Sequence, residues 1–303
     1  MNRVGAEIVL FNPDKEKLRK NIDSVLPQVD RVVLVDNGSK DISWIDEVYA
    51  QSIQNQKIHI IRNGKNLGIA AALNQGMDYL SPFEDWVITL DQDSEICPQY
   101  SDSCTKLLNF YSSQKDGDSR LPIGMISPVI IDRNRKDQMD SLSKYSAADS
   151  SQNDTDPTFT ELNRCITSGA FTSVQGWIDA GKFDEKMFID LVDFDFSCRL
   201  KQAGYVIVRN ENSFILHEVG NITMKGLRKK HVVYNHNPVR KYYFARNYIY
   251  MTRKNPSLHW RTAIYRISEQ FLDCIFFEKD KKNKLHALCK GVHDGLRMKI
   301  EEK

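Results

Sequence analysis

The amino-acid sequence predicts an α/β protein with a doubly wound, mostly parallel central sheet, flanking helices and a helical C-terminal extension. Three observations predict it. Short apolar runs alternate with helical patterns over residues 7–93, each run ends in polar residues suited to a strand terminus, and from Arg240 onward the pattern stays helical. No period of 20–50 residues recurs, which sets repeat architectures aside.

Glu7-Ile8-Val9-Leu10-Phe11 reads as a buried strand closed by Asn12-Pro13-Asp14. Leu18, Ile22, Val25 and Leu26 then follow at helical spacing up to Pro27. Arg31 to Val35 makes a second strand that stops at Asp36-Asn37-Gly38-Ser39, and Lys57 to Arg62 a third. The loop Asn63-Gly64-Lys65-Asn66-Leu67-Gly68 opens a helix with Ile69, Leu73, Met77 and Leu80 on one face. Trp86 to Leu90 is a fourth strand, ending in Asp91-Gln92-Asp93. Residues 132–163 are rich in Ser, Asp, Asn and Lys, which predicts a long surface loop or hairpin usable as a lid. Val192, Phe196, Leu200 and Ala203 form a helical stripe capped by Gly204. Tyr205 to Val208 and Phe214 to Leu216 read as two further strands, the second closed by His217. In the tail, Tyr242, Tyr243, Arg246, Asn247 and Tyr250 interleave aromatic and polar groups, and Ile264, Ile267, Phe271, Leu272 and Ile275 line one side of a second helix. The expected division is a domain over 1–224 and a basic, amphipathic helical region over 225–303.

With 41% hydrophobic and 27% charged residues, the composition is that of a soluble globular protein and excludes disorder, collagen and a disulfide-stapled miniprotein. No apolar run reaches the ~18 residues of a membrane span, and no leader peptide is evident at the start. The six cysteines have no Cys-x-x-Cys pair and read as buried thiols of a reducing cytosol. Charge is unevenly spread. Residues 225–303 carry 19 Lys and Arg against 7 Asp and Glu, a net +12, whereas residues 1–224 carry 23 against 33, a net −10. A basic tail implies an anionic partner, and Lys279, Lys281, Lys282 and Lys284 are placed to meet the headgroups of an anionic membrane. The same helices could equally pack on the domain.

In open α/β sheets, ligands bind beyond the carboxyl ends of the strands. Asn12 with Asp14, Asp36 with Asn37, Lys65 with Asn66, and Asp91 with Asp93 are therefore expected to face one crevice. Asp91 and Asp93 at a strand end suit a hard divalent cation, Mg²⁺ or Mn²⁺, that also touches a diphosphate; alone, Asp-x-Asp also suits a solvated turn. Asp36 can accept from a nucleobase imide or a ribose hydroxyl, or simply shape its turn. Lys65-Asn66-Leu67-Gly68 before a helix combines a cation, an amide and a positive helix end, which fits nucleotide phosphates. The P-loop and dinucleotide glycine patterns are missing, which weighs against a P-loop ATPase and a dinucleotide oxidoreductase. Asp190, Asp193 and Asp195 crowd together near a helix start. Asp195 can pair with Arg199, while Asp190 and Asp193 share a helical face, where an ionised carboxylate fenced by apolar groups suits a general base; helix capping is the alternative.

Taken in order, Val-Asp-Asn-Gly-Ser at 35–39, Asn-Leu-Gly at 66–68, Leu-Asp-Gln-Asp at 90–93, Ser-Gly-Ala at 168–170 and Val-Asp-Phe-Asp at 192–195, with Cys198, Arg199 and Gly204-Tyr205, resemble the family 2 inverting glycosyltransferases of the GT-A fold. Phe188-Ile189-Asp190 and Tyr242-Tyr243-x-x-Arg246-Asn247 resemble the bacterial rhamnosyltransferases among them. The resemblance spans about residues 5–250 and departs at Val192, where the commoner pattern has Glu before the Asp.

The resemblance implies transfer of L-rhamnose from dTDP-L-rhamnose to a lipid-linked saccharide, with inversion, at the inner face of a cell membrane. Asp193 would be the base. Asp93, Asp91 and His217 would hold Mg²⁺ or Mn²⁺. Phe11, Asn12, Asp36, Asn37, Lys65, Asn66, Gly68, Asp91 and Gln92 would bind the nucleotide sugar, and Ser168, Gly169 and Asp190 the acceptor. The rivals are a UDP-hexose or UDP-N-acetylhexosamine donor on the same fold, a nucleotidyltransferase, and a non-enzymatic module binding anionic surfaces. Nucleic acid is not an expected partner, because the acidic first half would repel it. A homo-oligomer is left open.

Overall fold

The computed structural model describes residues 2–114, 120–140, 142, 156–218, 223–225, 231–233 and 235–300. The chain forms two compact units, one of residues 1–185 with 196–218 and the other of 186–195 with 219–303.

The first unit is organised around β1 (Val4–Leu10), whose seven residues are all buried. Burial on both faces is what a central parallel strand covered by helices requires. After β1 come α1 (Lys15–Val25), β2 (Arg31–Asp36), two short helices α2 (Ser43–Val48) and α3 (Ala50–Gln54), β3 (Ile58–Arg62), α4 (Ile69–Leu80), β4 (Trp86–Asp91) and β5 (Glu95–Ile96). These are followed by α5 (Tyr100–Ser113), β6 (Ile123–Asp132), the single turn α6 (Lys136–Met139), β7 (Phe159–Leu162), β8 (Ala170–Ser173), α7 (Val174–Asp179), α8 (Val192–Gln202), whose residues up to Asp195 count with the second unit, and β9 (Val206–His217). The sheet has nine strands in the order β3-β2-β1-β4-β8-β6-β9-β5, with β7 also paired to β9.

Strands β3, β2, β1 and β4 are mutually parallel, as the strand-helix alternation predicts. Beyond β4 the sheet is mixed: β8 runs antiparallel to both β4 and β6, while β6 and β9 run parallel. Asp14 caps α1 by accepting from the Lys17 N–H at 3.0 Å, a structural role for a residue expected at the crevice. Leu18, Ile22 and Val25 of α1 are fully buried in the cluster that holds Ala6, Ile8 and Leu10 of β1. At about 1.5–3 kcal/mol for each such side chain, this packing fixes α1 against the sheet.

Two strands expected separately, Tyr205–Val208 and Phe214–Leu216, are one twelve-residue strand. The polar stretch Arg209 to Ser213 hides it in the sequence. It stays extended because Thr160 and Phe159 of β7 pair with Arg209 and Asn210, and the buried Asn210 side chain bonds Ser103 Oγ at 2.9 Å. Of the expected loop 132–163, Asp132 ends β6 and 159–162 form β7. Residues 141 and 143–155, the middle of the expected lid, lie outside the described residues. Four of the six cysteines are buried as expected, but Cys198 is partly exposed and Cys289 exposed.

The second unit contains a two-stranded antiparallel ladder, β10 (Thr223–Lys225) with β11 (His231–Val233), and three helices of seventeen residues: α9 (Pro238–Lys254), α10 (Trp260–Phe276) and α11 (Lys281–Arg297). Asn237 caps α9 by accepting from the Arg240 N–H, and Pro238 takes the first helical position. Helices α9 and α11 touch backbone to backbone at Gly291 and Gly295: a Cβ on either would come within 2.4–2.5 Å of the carbonyl oxygens of Tyr242 and Arg246.

The apolar stripe of α10 is split between two faces. Ile267 is buried and Phe271 packs on Ala245, Cys274 and Leu288, whereas Ile264, Leu272 and Ile275 are exposed, together with Trp260, Tyr265 and Phe276. Lys284 does not reach outward as expected. It is buried, with its ammonium 2.7 Å from Glu278 and 2.7 Å from Asn235, and Lys241 meets the same Glu278 at 2.6 Å. A buried carboxylate needs such partners, so Lys284 is drawn inward. Lys279, Lys281 and Lys282 are exposed. No described helix is long and apolar enough to cross a membrane.

Candidate active site

The parallel strands deliver their carboxyl ends to one rim of the first unit. At β4, Asp91 and Asp93 join His217 from the end of β9, and one ligand atom from each lies within 4.8 Å of the others. Asp93 Oδ1 is 3.7 Å from His217 Nδ1. Two carboxylates and an imidazole at these separations fit a divalent cation of Mg²⁺ or Mn²⁺ type, whose neighbouring ligands lie about 3–4 Å apart.

Behind the three ligands runs a chain of hydroxyls. Ser168 Oγ lies 2.6 Å from Ser94 Oγ, and Ser94 Oγ lies 3.0 Å from His217 Nδ1, which orients the ring. Ser168 also accepts from the Asp91 N–H at 3.4 Å, while Asn21 donates to the Asp91 carbonyl at 2.6 Å. From α1, Lys17 reaches Glu218 at 2.6 Å. Glu218, with Asp14 and Asp93 further off, holds this ammonium above the ordinary lysine range.

The β1 and β2 ends are tied together. Gln92 accepts from the Phe11 N–H at 2.8 Å, the Asn12 N–H donates to Ser39 Oγ at 2.8 Å, and Asn12 Oδ1 accepts from the Lys40 N–H at 3.0 Å. Asp36 is buried and accepts from the Ser39 N–H at 3.0 Å. Asn37 is more deeply committed than the sequence suggests. Its amide donates to Asn66 Oδ1 and the Gly68 carbonyl, both at 3.1 Å, and accepts from the Leu67 N–H at 2.9 Å and Asn63 at 3.2 Å. It thereby clamps the loop carrying the exposed Lys65 and Asn66 to the end of β2. Gly38, at φ 91°, permits this, since a Cβ there would lie 2.7 Å from the Lys65 backbone.

Of the residues expected on the acceptor side, Ser168 and Gly169 are buried, Ser168 in the hydroxyl chain and Gly169 against Ile215 and Pro128. They shape the metal-ligand rim from within. Asp190 and Asp193 belong to the second unit. Asp190 is gripped by Arg240, with Nη2 2.5 Å from Oδ1. Asp193 stands in the first turn of α8, where its Oδ1 accepts from the Phe194 N–H at 2.9 Å. Asp195 is fully buried and has Lys254 Nζ 2.7 Å away, a partner that spacing along one helix could not reveal. Ser94, Asn21, Lys17 and Glu218 escaped the sequence reading. Only Ser94, directly after Asp-Gln-Asp, offered a signal.

A mostly parallel α/β sheet whose strands end at one rim, with Asp-x-Asp and a histidine at that rim, has the architecture of a GT-A-type fold carrying a candidate divalent-cation site. Residues 8–119, little more than a third of the chain, match the family described as glycosyl transferase family 2. The chain is 28% identical over 306 residues to the dTDP-rhamnosyl transferase RfbF of Shigella flexneri, covering 98% of this chain and 96% of that protein. Among solved structures it resembles GalNAc-T7 with UDP, GalNAc and Mn²⁺, at 14% identity and TM-score 0.60, covering 98% of this chain and 56% of that one. It also resembles S. aureus TarS 1–349 in complex with UDP-GlcNAc, at 10% identity and TM-score 0.58, covering 96% and 81% respectively. At these identities the two structures speak for the fold.

Proposed function

We propose that this protein transfers L-rhamnose from dTDP-L-rhamnose to a hydroxyl of a lipid-linked saccharide, with inversion at the anomeric carbon. The observation that carries the reading is the meeting of Asp91, Asp93 and His217 at the carboxyl ends of β4 and β9; likeness to a rhamnosyl transferase over nearly the whole chain supports the sugar. Asp36 takes the nucleoside, and Lys65 and Asn66 meet the phosphates from the loop that Asn37 holds, with Gly68 at the start of α4. Phe11, Asn12 and Gln92 close the donor side.

Asp93, Asp91 and His217 would hold a divalent cation, which would supply charge neutralisation to the departing diphosphate. Asp193 accepts the proton of the acceptor hydroxyl as that oxygen bonds to the anomeric carbon and the bond from that carbon to the diphosphate oxygen breaks. The outward face of α10, carrying Ile264, Leu272 and Phe276, with exposed Lys279, Lys281 and Lys282 following it, rests on an anionic bilayer where such an acceptor resides.

A panel of nucleotide sugars tests this by nucleoside diphosphate release, with and without Mn²⁺, with a lipid-linked saccharide extract as acceptor source. Turnover of dTDP-L-rhamnose is expected. Turnover of a UDP-sugar alone overturns the donor, and pyrophosphate release from a nucleoside triphosphate overturns the reaction class. Asp193→Asn is expected to lower acceptor-dependent release by roughly 10²–10⁴-fold while dTDP still binds.

A further inference from the structure

Within the second unit, the segment leading to Asp193 is bent in a way side chains resist. Phe188, Asp190 and Leu191 all sit at positive φ, 62°, 65° and 64°. Three non-glycine residues in the left-handed region within four positions persist only where the surroundings over-determine them. One helix supplies those surroundings.

The buried Asn247 amide of α9 donates to three carbonyls of the bent segment, those of Met187 at 2.7 Å, Ile189 at 2.7 Å and Asp190 at 2.8 Å. Arg246 donates through Nη2 to the carbonyls of Lys186 at 2.6 Å and Met187 at 2.9 Å. The same guanidinium holds Asn247 Oδ1 at 2.7 Å, which fixes the amide so that its N–H groups point at the carbonyls. Arg240 forks onto the Asp190 carboxylate, and the Phe188 ring stacks on Tyr243 with centroids 4.9 Å apart and planes 17° from parallel. Residues 240, 243, 246 and 247 share one face of α9 by helical spacing. Seven contacts from four residues of α9 thus converge on six residues that end two positions before Asp193. Holding a turn closed for stability alone would not call for three disfavoured backbone conformations in it.

We infer that Arg240, Tyr243, Arg246 and Asn247 are positioning residues that hold the 186–191 turn in its bent form and thereby set where Asp193 stands. The inference rests on the reading of Asp193 as the base. It assigns the aromatic-Arg-Asn face of α9 to the chemical step and leaves donor binding to the first unit.

The test is Asn247→Asp, which keeps the shape but replaces the amide donor by a carboxylate that the three carbonyls repel. Asp193→Asn and Arg240→Lys are measured beside it, with dTDP-L-rhamnose as donor, the lipid-linked extract as acceptor and dTDP with Mn²⁺ as the binding probe. Asn247→Asp is expected to lower acceptor-dependent kcat by about 10²-fold, the usual cost of misplacing a reacting group by an ångström. Donor KM and dTDP affinity are expected to change less than about twofold, the split that separates a lost chemical-step interaction from lost binding. Its kcat-pH profile should lose the limb that Asp193→Asn also loses. Arg240→Lys, which keeps the charge but not the fork, should retain an intermediate rate. Wild-type kcat in Asn247→Asp, with Asp193→Asn inactive, overturns the positioning role and leaves the base in place. Wild-type kcat in Asp193→Asn overturns the base reading itself. If Asn247→Asp fails to bind dTDP because it has not folded, Arg240→Lys and Tyr243→Leu decide: loss of kcat at unchanged dTDP affinity supports the role, and an unchanged kcat or a change in KM alone overturns it.

Discussion

Glu7 lies in the middle of β1, fully buried, against the turn of α4 where a Cβ on Gly76 would fall 1.8 Å from its Oε2. Neither carboxyl oxygen has a hydrogen-bond partner of good geometry. Burial holds the folded carboxyl well above the ordinary value of 4.5, and the Met77 N–H opposes this only in part. The folded chain therefore keeps a proton that the unfolded chain releases. A raised folded pKa means that this group's contribution to stability is intact below the unfolded value and declines as pH rises from there toward the folded value. The decline is about 1.4 kcal/mol per pH unit within that window.

Glu7→Gln keeps the shape and removes the titration. The amide's own unmet N–H groups add an offset of roughly 1–3 kcal/mol that does not depend on pH. The slope, and not the absolute difference, therefore carries the test. Urea unfolding from pH 5 to pH 8 should show the stability difference, variant minus wild type, rising by about 1.4 kcal/mol per unit before it levels off. Trp260→Phe makes a suitable background, because the remaining tryptophans, Trp44, Trp86 and Trp177, all lie in the first unit and report its unfolding. Parallel curves for variant and wild type would refute the reasoning, since they would mean that the folded carboxyl ionises as readily as the unfolded one.

Three other outcomes follow from the same structure. Asp93→Ala, or chelation of the wild type, should lower kcat/KM by roughly 10³-fold and weaken Mn²⁺-dependent dTDP binding together; binding and turnover that ignore the metal would remove Asp93 from its role. Gly291→Ala should destabilise the α9-α11 contact by about 1–2 kcal/mol, overpacking outweighing the ~1 kcal/mol gain in helix propensity, and faster hydrogen exchange confined to those helices checks it. Phe276→Ser with Leu272→Ser should abolish co-sedimentation with anionic vesicles, which the wild type should show in preference to zwitterionic ones; equal sedimentation of both proteins would clear α10 of membrane contact.

By itself the sequence determined the parallel half of the sheet. Strands β1 to β4 are short, mainly apolar runs, and local pattern is enough to read them. It also put Asp91 and Asp93 at a strand end facing the shared rim, whereas His217 was joined to them only by the family resemblance; in the structure ligand atoms of the three lie within 4.8 Å of one another. Only the tertiary structure decided that β8 enters between β4 and β6, that β9 runs through Asn210, and that Ser94 and Ser168 stand behind His217. It alone turned Lys284 inward to Glu278, split the apolar stripe of α10, and joined Asn247 to carbonyls some sixty residues earlier. The physical reason is common to all of these. Periodicity records which face of an element is apolar, whereas the partner of a strand edge, a buried charge or a free amide is set by groups far away in the chain, and no local pattern encodes them.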